Sequence, residues 1–431
     1  MNKSDSERIA TLLEGVGYGA TDKAEEADFI LMNTCSIRQT AEDRVFGMVQ
    51  NYAKLKEKNP RLLVGVTGCM AGRDRDGKLR AKLPQVDLFF PTRDLPQLPR
   101  WLAEHDPEIA NVGDAVEDYL KLRPKYAKEF TSYVSIQTGC NKFCTYCVVP
   151  FARGLEQNRS ASDILTEIRE RAANGTVEVV LLGQTVNAYR APDSQTFTKE
   201  NPYQDHFAAL LWEINRIPGI ERLHYTAPHP NHMTDEVIEA LALPKHVSYL
   251  HLPVQAGDDE VLRRMNRRYT GAQYLEKIAK IRNRLPDITL GTDIIVGFPG
   301  ESAEQFEKTL ELYRAADFYI SYTAMYSPRT GTVAHKIWSD DVSREEKKRR
   351  WNVLQEHMEK NALRLNRELI GREVEVLVDA CRDMRGVMTC SGNSREMRVA
   401  HFPGDAALVG KIVKVKITGA EEWILKGEYV R

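Results

Sequence analysis

The sequence predicts an α/β chain in three parts: an N-terminal α/β domain, a central incomplete (β/α)6 barrel and a small C-terminal β-barrel. Short apolar runs alternate with helical repeats through the first three quarters of the chain. A long, charged helical stretch follows. The last 60 or so residues then change to strict β-alternation punctuated by Gly386, Gly392, Gly404, Gly410 and Gly419.

The chain has 431 residues, room for two to four domains. Apolar residues make up 42% and charged residues 28%, the balance of an ordinary globular protein. The net charge of −1 gives no global attraction to nucleic acid, so any basic footprint has to be local. No stretch approaches the roughly 20 apolar residues a membrane-spanning helix needs. The first residues lack an apolar signal core. The expectation is a monomeric cytoplasmic protein with no membrane partner.

The first domain is expected over 1–104. A capping box, Ser4-x-x-Glu7, is read as opening a helix with Ile9, Leu12 and Leu13 on one face and Gly15 as its stop. Apolar runs at 29–32 and 62–66 read as buried parallel strands. A charged linker is expected over 105–130. The barrel is expected over 131–340, with strands at 133–137, 177–182, 222–225, 249–253, 289–296 and 318–325. Ser160-x-x-Asp163 and Ser302-x-x-Gln305 open two of its helices, and 196–204 reads as a surface insertion. A connecting helix over 341–370 begins at Ser343-x-x-Glu346, and 371–431 forms the C-terminal β-domain.

Seven cysteines in such a chain do not suggest a disulfide framework. Cys140, Cys144 and Cys147 form a Cys-x3-Cys-x2-Cys run at the end of a buried strand. Three thiolates within eight residues can wrap one face of a [4Fe–4S] cubane and leave the fourth iron open. The competing reading is structural zinc, which wants four protein ligands, commonly as two Cys-x2-Cys pairs, and no second pair lies nearby. Cys381 and Cys390 belong to another domain and read as ordinary cysteines.

The run Cys140-Asn141-Lys142-Phe143-Cys144-Thr145-Tyr146-Cys147 resembles the signature of radical S-adenosylmethionine (SAM) enzymes, including the aromatic Tyr146 before the last cysteine. The segments VPFARGLEQNRS (149–160), LGQTVNAY (182–189), HLPVQ (251–255), RMNRRYT (264–270) and DIIVGFPGE (293–301) resemble the methylthiotransferase family. Residues 1–7, 33–38 and 68–71 resemble its tRNA-modifying branch, which acts on an isopentenyl-modified adenosine beside the anticodon. Sister branches act on a threonylcarbamoyl-modified adenosine or a ribosomal-protein aspartate.

The resemblance implies two [4Fe–4S] clusters and two SAM molecules per turnover, one for methyl transfer and one as radical source. It also implies a tRNA anticodon loop as partner, a reductant protein and a sulfur donor. By this resemblance Cys140, Cys144 and Cys147 bind the first cluster, and Cys35 and Cys69 belong to the auxiliary one. Tyr146, Gly183, Gln184, Gln255 and Asp293 fall where the family places SAM contacts. From the residues alone, Gly183 reads as a strand-to-helix turn and Asp293 equally as a loop brace. Gly297-Phe298-Pro299-Gly300 reads as a turn.

The family's first domain supplies three auxiliary cysteines, and this sequence offers two. The helix near Ser4 has no strand before it, so the expectation is a first strand and cysteine upstream of Met1, or else a non-cysteine third ligand. The C-terminal domain resembles the TRAM RNA-binding domain, although its ten Lys/Arg against nine Asp/Glu from 371 to 431 give it little charge of its own. The helix from Ser343, with nine Lys/Arg against five Glu up to Arg372, and the group Arg263, Arg264, Arg267 and Arg268 are the electrostatic candidates for RNA.

Overall fold

The computed structural model describes residues 1–35, 39–106, 109 and 118–430. In the N-terminal part, strands β1 (Phe29–Thr34), β2 (Leu63–Gly68) and β3 (Leu88–Phe90) form a parallel sheet in that order. The helix Gln39–Lys58 covers one face over Met32, Val64 and Val66. The helices Asn2–Gly15 and Leu98–His105 cover the other, with Ile9, Leu98 and Leu102 buried. Apolar strands covered on both faces give this layered arrangement.

Two expectations fail here. The Ser4-x-x-Glu7 box does not cap the first helix, whose N-cap is Met1. Ser4 and Glu7 are buried inside it: the Ser4 hydroxyl accepts from the Arg8 guanidinium, and Glu7 accepts from Ala127 N–H at 3.1 Å. The stretch expected as a linker is packed over its second half. Tyr119, Leu120 and Leu122 join the N-terminal core, and the Tyr126 hydroxyl donates to Glu167 in the next domain. Pro107 and Glu108 of that stretch, and Ser36, Ile37 and Arg38, lie outside the described residues.

The central part has strands β4 (Thr131–Ser135), β5 (Gln137–Thr138), β6 (Gln157–Asn158), β7 (Glu178–Leu182), β8 (Arg222–Tyr225), β9 (Tyr249–His251), β10 (Thr289–Val296) and β11 (Ile320–Met325). Parallel sheets β4-β7-β8 and β9-β10-β11 are joined by a parallel bridge from Leu223 to His246, and β5 and β6 make a small hairpin. The result is an open row of six parallel strands, the incomplete barrel expected. Ser160 and Ser302 cap their helices as read, the latter with the reciprocal Gln305 bond. The 196–204 insertion is tied down, because Thr198 and Asn201 bond to Glu213 while Phe197 and Tyr203 pack on the core.

The helix Arg344–Arg367, capped by Ser343, leads to β12 (Glu373–Met384), β13 (Val387–Ser394), β14 (Val399–Pro403), β15 (Ile412–Ala420) and β16 (Leu425–Val430). These close into a five-stranded barrel in the order β12-β13-β14-β16-β15. Cys381 and Cys390 are directly opposed on β12 and β13 and joined by a disulfide, which corrects their reading as ordinary cysteines. The barrel docks on the amino-terminal ends of the central strands. Arg222 donates to Asn393 and Glu375 carbonyls at 2.8 and 2.7 Å, Ser248 N–H to the Arg395 carbonyl at 2.8 Å, and Arg398 to Thr289 Oγ1 at 3.2 Å.

His224 and His246 lie side by side in this core, 8% and 2% exposed. Burial pushes them down to about 3 and about 4. Both are therefore neutral when folded, whereas an unfolded histidine binds a proton below about pH 6.5. Stability is expected to fall as the pH drops below that value, by about 2 kcal/mol for the pair between pH 6.5 and 5.5. Urea denaturation at the two pH values checks this, and His246→Asn is expected to remove about half of the difference.

Candidate active site

The cysteine run leaves the carboxyl edge of β4 through Gly139, whose φ of +76° and close approach to the backbone of Gly154 and Leu155 leave no room for a side chain. The loop is then held by the segment 264–268. Asn266 Nδ2 donates to the Lys142 and Phe143 carbonyls at 3.1 and 3.0 Å. Thr145 N–H donates to Met265 O at 3.1 Å, and its hydroxyl to Arg264 O at 2.8 Å. Phe143, Asn266 and Arg268 all have φ between +50° and +58°, so both sides of the clamp are bent backbone. Asn266→Ala strands two carbonyls, which costs about 1–3 kcal/mol. The expected outcome is faster iron loss from reconstituted protein under a chelator, read by absorbance.

The three sulfurs lie near one another, each beside a polar group. Cys140 Sγ lies 3.3 Å from Thr185 Oγ1, Cys144 Sγ accepts from Arg267 Nη1 at 3.4 Å, and Cys147 Sγ accepts from Val149 N–H at 3.4 Å. Burial, reinforced by Cys144 and Cys140, pushes the Cys147 thiol up to about 12. Burial likewise holds Tyr146 well above its usual range, with Cys144 and Cys147 close enough to add to it. The Cys147 thiol ionises more readily beside a strong positive charge, as an iron–sulfur cluster provides. Among the described residues no three His, Cys, Asp or Glu side chains converge on a point where one metal ion would sit. Three neighbouring thiols are the donor set of a cluster that takes one cysteine per iron.

Gly183 and Gln184 stand at the carboxyl end of β7, next to the Thr185 that meets Cys140. Gln184 Oε1 is buried and has no hydrogen-bond partner, an open acceptor beside the cysteines that suits an ammonium donor. Gly183 sits 3.1 Å (from an ideal Cβ) from Gln137 Oε1 and Val186 Cα, so a side chain there crowds the turn. Gln255 has φ +75° and exchanges backbone bonds with β10: its N–H donates to Asp293 O, and its carbonyl accepts from Ile295 N–H, both at 2.9 Å. The Asp293 carboxylate lies 3.0 Å from His251 Nε2, and the His251 ring packs 5.5 Å from that of Tyr322. Thus Tyr146 joins the cysteines, Gln184 adjoins them through Thr185, and Gln255, four residues beyond β9, forms a second group with Asp293 on β10. His251 was absent from the expected site, although its place in HLPVQ, four residues before Gln255, was visible.

Cys35 and Cys69 follow β1 and β2, whose last residues, Thr34 and Gly68, are register partners. They are close enough for Cys35 to raise the Cys69 thiol, although burial raises it most. Arg153, just after the cysteine loop, lies close enough to Cys69 to oppose the rise of its thiol and pairs with buried Asp5 on the first helix. The helix Cys69–Arg73 packs on Val149–Ala152 so tightly that a Cβ on Gly72 would overlap the Ala152 carbonyl. The two cysteine groups therefore flank one helix contact.

The expected basic surfaces are largely neutralised. Arg264 spends its guanidinium on Pro299 and Gly300 carbonyls, and Arg267 is 5% exposed and turned inward. On the helix Arg344–Arg367, Lys347 pairs with Asp340, Arg350 with Glu301, Arg349 with Glu346 and Arg364 with Glu368. The loop Gly297–Gly300 is a turn, as read, with positive φ at both glycines.

An open parallel (β/α) barrel with three cysteines on the loop after its first strand defines a radical SAM enzyme, and the radical SAM superfamily model matches residues 134–313. That superfamily uses a [4Fe–4S] cluster and SAM. The "Uncharacterized protein family UPF0004" model matches residues 1–91 and the TRAM domain model 367–430. The tRNA-2-methylthio-N(6)-dimethylallyladenosine synthase of Thermoanaerobacter sp. (strain X514) is 41% identical over the whole of this chain and 90% of its own length. That of Yersinia enterocolitica is 40% identical over the same shares. The chain belongs to the methylthiotransferase family of radical SAM enzymes. In fold it is similar to the radical SAM methyltransferase TsrM of Kitasatospora setae, with a TM-score of 0.53 and 15% identity over 77% of this chain and 73% of that one. Among the described residues, no helix is long and apolar enough to cross a membrane.

Proposed function

We propose that the protein adds a methylthio group to C2 of N6-isopentenyladenosine beside the anticodon of tRNA, with SAM as methyl donor and radical source. The observation that carries this is the 40–41% identity over the entire chain to synthases named for that product. Cys140, Cys144 and Cys147 would hold one [4Fe–4S] cluster, and Cys35 and Cys69 would contribute to a second. When bound, the first cluster with SAM supplies the one-electron chemistry that an unactivated aromatic C–H bond requires.

The chain's own residues supply position and dryness. Asn266 and Thr145 fix the cysteine loop, and Gln184 Oε1 offers an acceptor to the SAM ammonium. Tyr146 stands between Cys144 and Cys147 and Gly183 follows β7, while Gln255 follows β9 and bonds to Asp293 in β10, toward the strand ends at which barrel enzymes place their reacting groups. The contact between the helices at Gly72 and Ala152 holds the two cysteine groups in one register. The β12–β16 barrel is the tRNA-binding element in this proposal. A reductant protein and a sulfur donor complete the cycle.

The test incubates reconstituted protein, SAM and dithionite with tRNA carrying the isopentenyl group, followed by mass analysis of nucleosides. A gain of the methylthio mass on that nucleoside supports the assignment. Modification only of threonylcarbamoyl-bearing tRNA, or of neither, overturns it.

A further inference from the structure

Arg267 is a charged side chain with no carboxylate to answer it. It is 5% exposed, and its three nitrogens are committed: Nε to the Tyr269 hydroxyl at 2.9 Å, Nη2 to the Pro253 carbonyl at 3.0 Å and Nη1 to Cys144 Sγ at 3.4 Å. The groups acting on it most strongly are Tyr269, Tyr146 and Cys144. Among the described residues no Asp or Glu forms an ion pair with this guanidinium; buried Arg222 and Arg398 likewise spend theirs on carbonyls and neutral side chains, and what sets Arg267 apart is its bond to a sulfur of the cysteine loop. A buried cation is stabilised by an anion close by, and a cluster held through Cys144 would place one within reach of Nη1.

We propose that Arg267 is the fixed counter-charge of the iron–sulfur cluster held by Cys140, Cys144 and Cys147, and that it acts as a positioning residue that favours the reduced cluster. This rests on those three cysteines being the ligands. Reduction brings one electron from an external one-electron donor, dithionite in the test, and makes and breaks no bond. The cluster gains a unit of negative charge a few ångströms from a guanidinium that water does not screen, so the charge favours the reduced state. The bond to the Pro253 carbonyl also ties Cys144 to the strand end that leads to Gln255.

The test uses the full-length chain carrying Cys35→Ala and Cys69→Ala, so that the triplet alone holds iron, reconstituted anaerobically. The ratio of reduced to oxidised cluster is followed by electron paramagnetic resonance against potential. Arg267→Gln is expected to lower that ratio at fixed potential at least tenfold, a midpoint fall of about 59 mV for a one-electron couple. Arg267→Lys, which keeps the charge, is expected to stay within threefold of the parent. An unchanged midpoint in Arg267→Gln, or equal shifts in both variants, overturns the proposal. If Arg267→Gln takes up no iron, retention by Arg267→Lys supports the charge requirement, and loss by both overturns it. A parent chain that binds no cluster, or whose cluster survives Cys144→Ser unaltered, instead overturns the ligand assignment.

Discussion

Cys144→Ser is expected to leave the chain folded and to stop release of 5′-deoxyadenosine from SAM. Cys144 is partly exposed on a loop clamped through backbone atoms, so its sulfur contributes little to packing, and the stability change should stay under about 1 kcal/mol. Its chemical part is different. A serine hydroxyl is a poor substitute for a thiolate on iron, and Arg267 loses the group its Nη1 faces. Losing a supporting residue around a metal typically costs 10–100-fold, so losing a ligand should cost more than about 100-fold. Chromatographic quantification of 5′-deoxyadenosine from dithionite-reduced protein, beside a thermal melt, reads both parts. Wild-type levels of the product from Cys144→Ser would contradict the assignment of this loop.

The second large effect is expected from Gly72→Ala, which touches no cysteine. The added carbon meets the carbonyl group of Ala152, with its carbonyl carbon at 2.9 Å, and both sides of that contact are backbone. Neither side can rotate away, so the helices Cys69–Arg73 and Val149–Ala152 have to separate, at a cost of about 1–3 kcal/mol. The separation opens the space between the two cysteine groups while leaving the 140–147 loop on its own clamp. A misplacement of about 1 Å can cost 10²-fold in a reaction that needs two sites in register. Methylthio product should therefore fall roughly 100-fold while SAM cleavage stays within a few-fold. Parallel measurement of 5′-deoxyadenosine and modified nucleoside separates the two, and an equal fall in both would mean that the contact serves folding alone.

Much of the framework was legible because it rests on local rules. β8 and β10 fall on the residues that periodicity marked, and the caps at Ser160, Ser302 and Ser343 form as their side chains dictate. Ser4 failed as a cap because the helix starts earlier, with Met1 as its N-cap, which leaves Ser4 inside it and bonded to Arg8 one turn on. The disulfide escaped notice because Cys381 and Cys390 meet only through strand register, and register is invisible until the hairpin is paired. The cysteine triplet was plain from spacing, since one loop carries all three. Arg267 was not, because in sequence it is one arginine among four; only the fold separates the two with inward commitments, Arg264 and Arg267, from the two left on the outside. The Arg153–Asp5 pair joins residues 148 positions apart and gave no local sign at all.

The seating of the C-terminal barrel has a metric consequence. Its anchors, Asn393, Arg395 and Arg398, meet the first residues of the central strands, whereas the cysteine loops leave their far ends. At about 3.3 Å per residue the eight-residue β10 is about 26 Å long. The chain is thus built like a caliper with jaws about that far apart. Under the proposed function, an RNA that touches both the barrel and the cysteine loops has to extend over at least that distance.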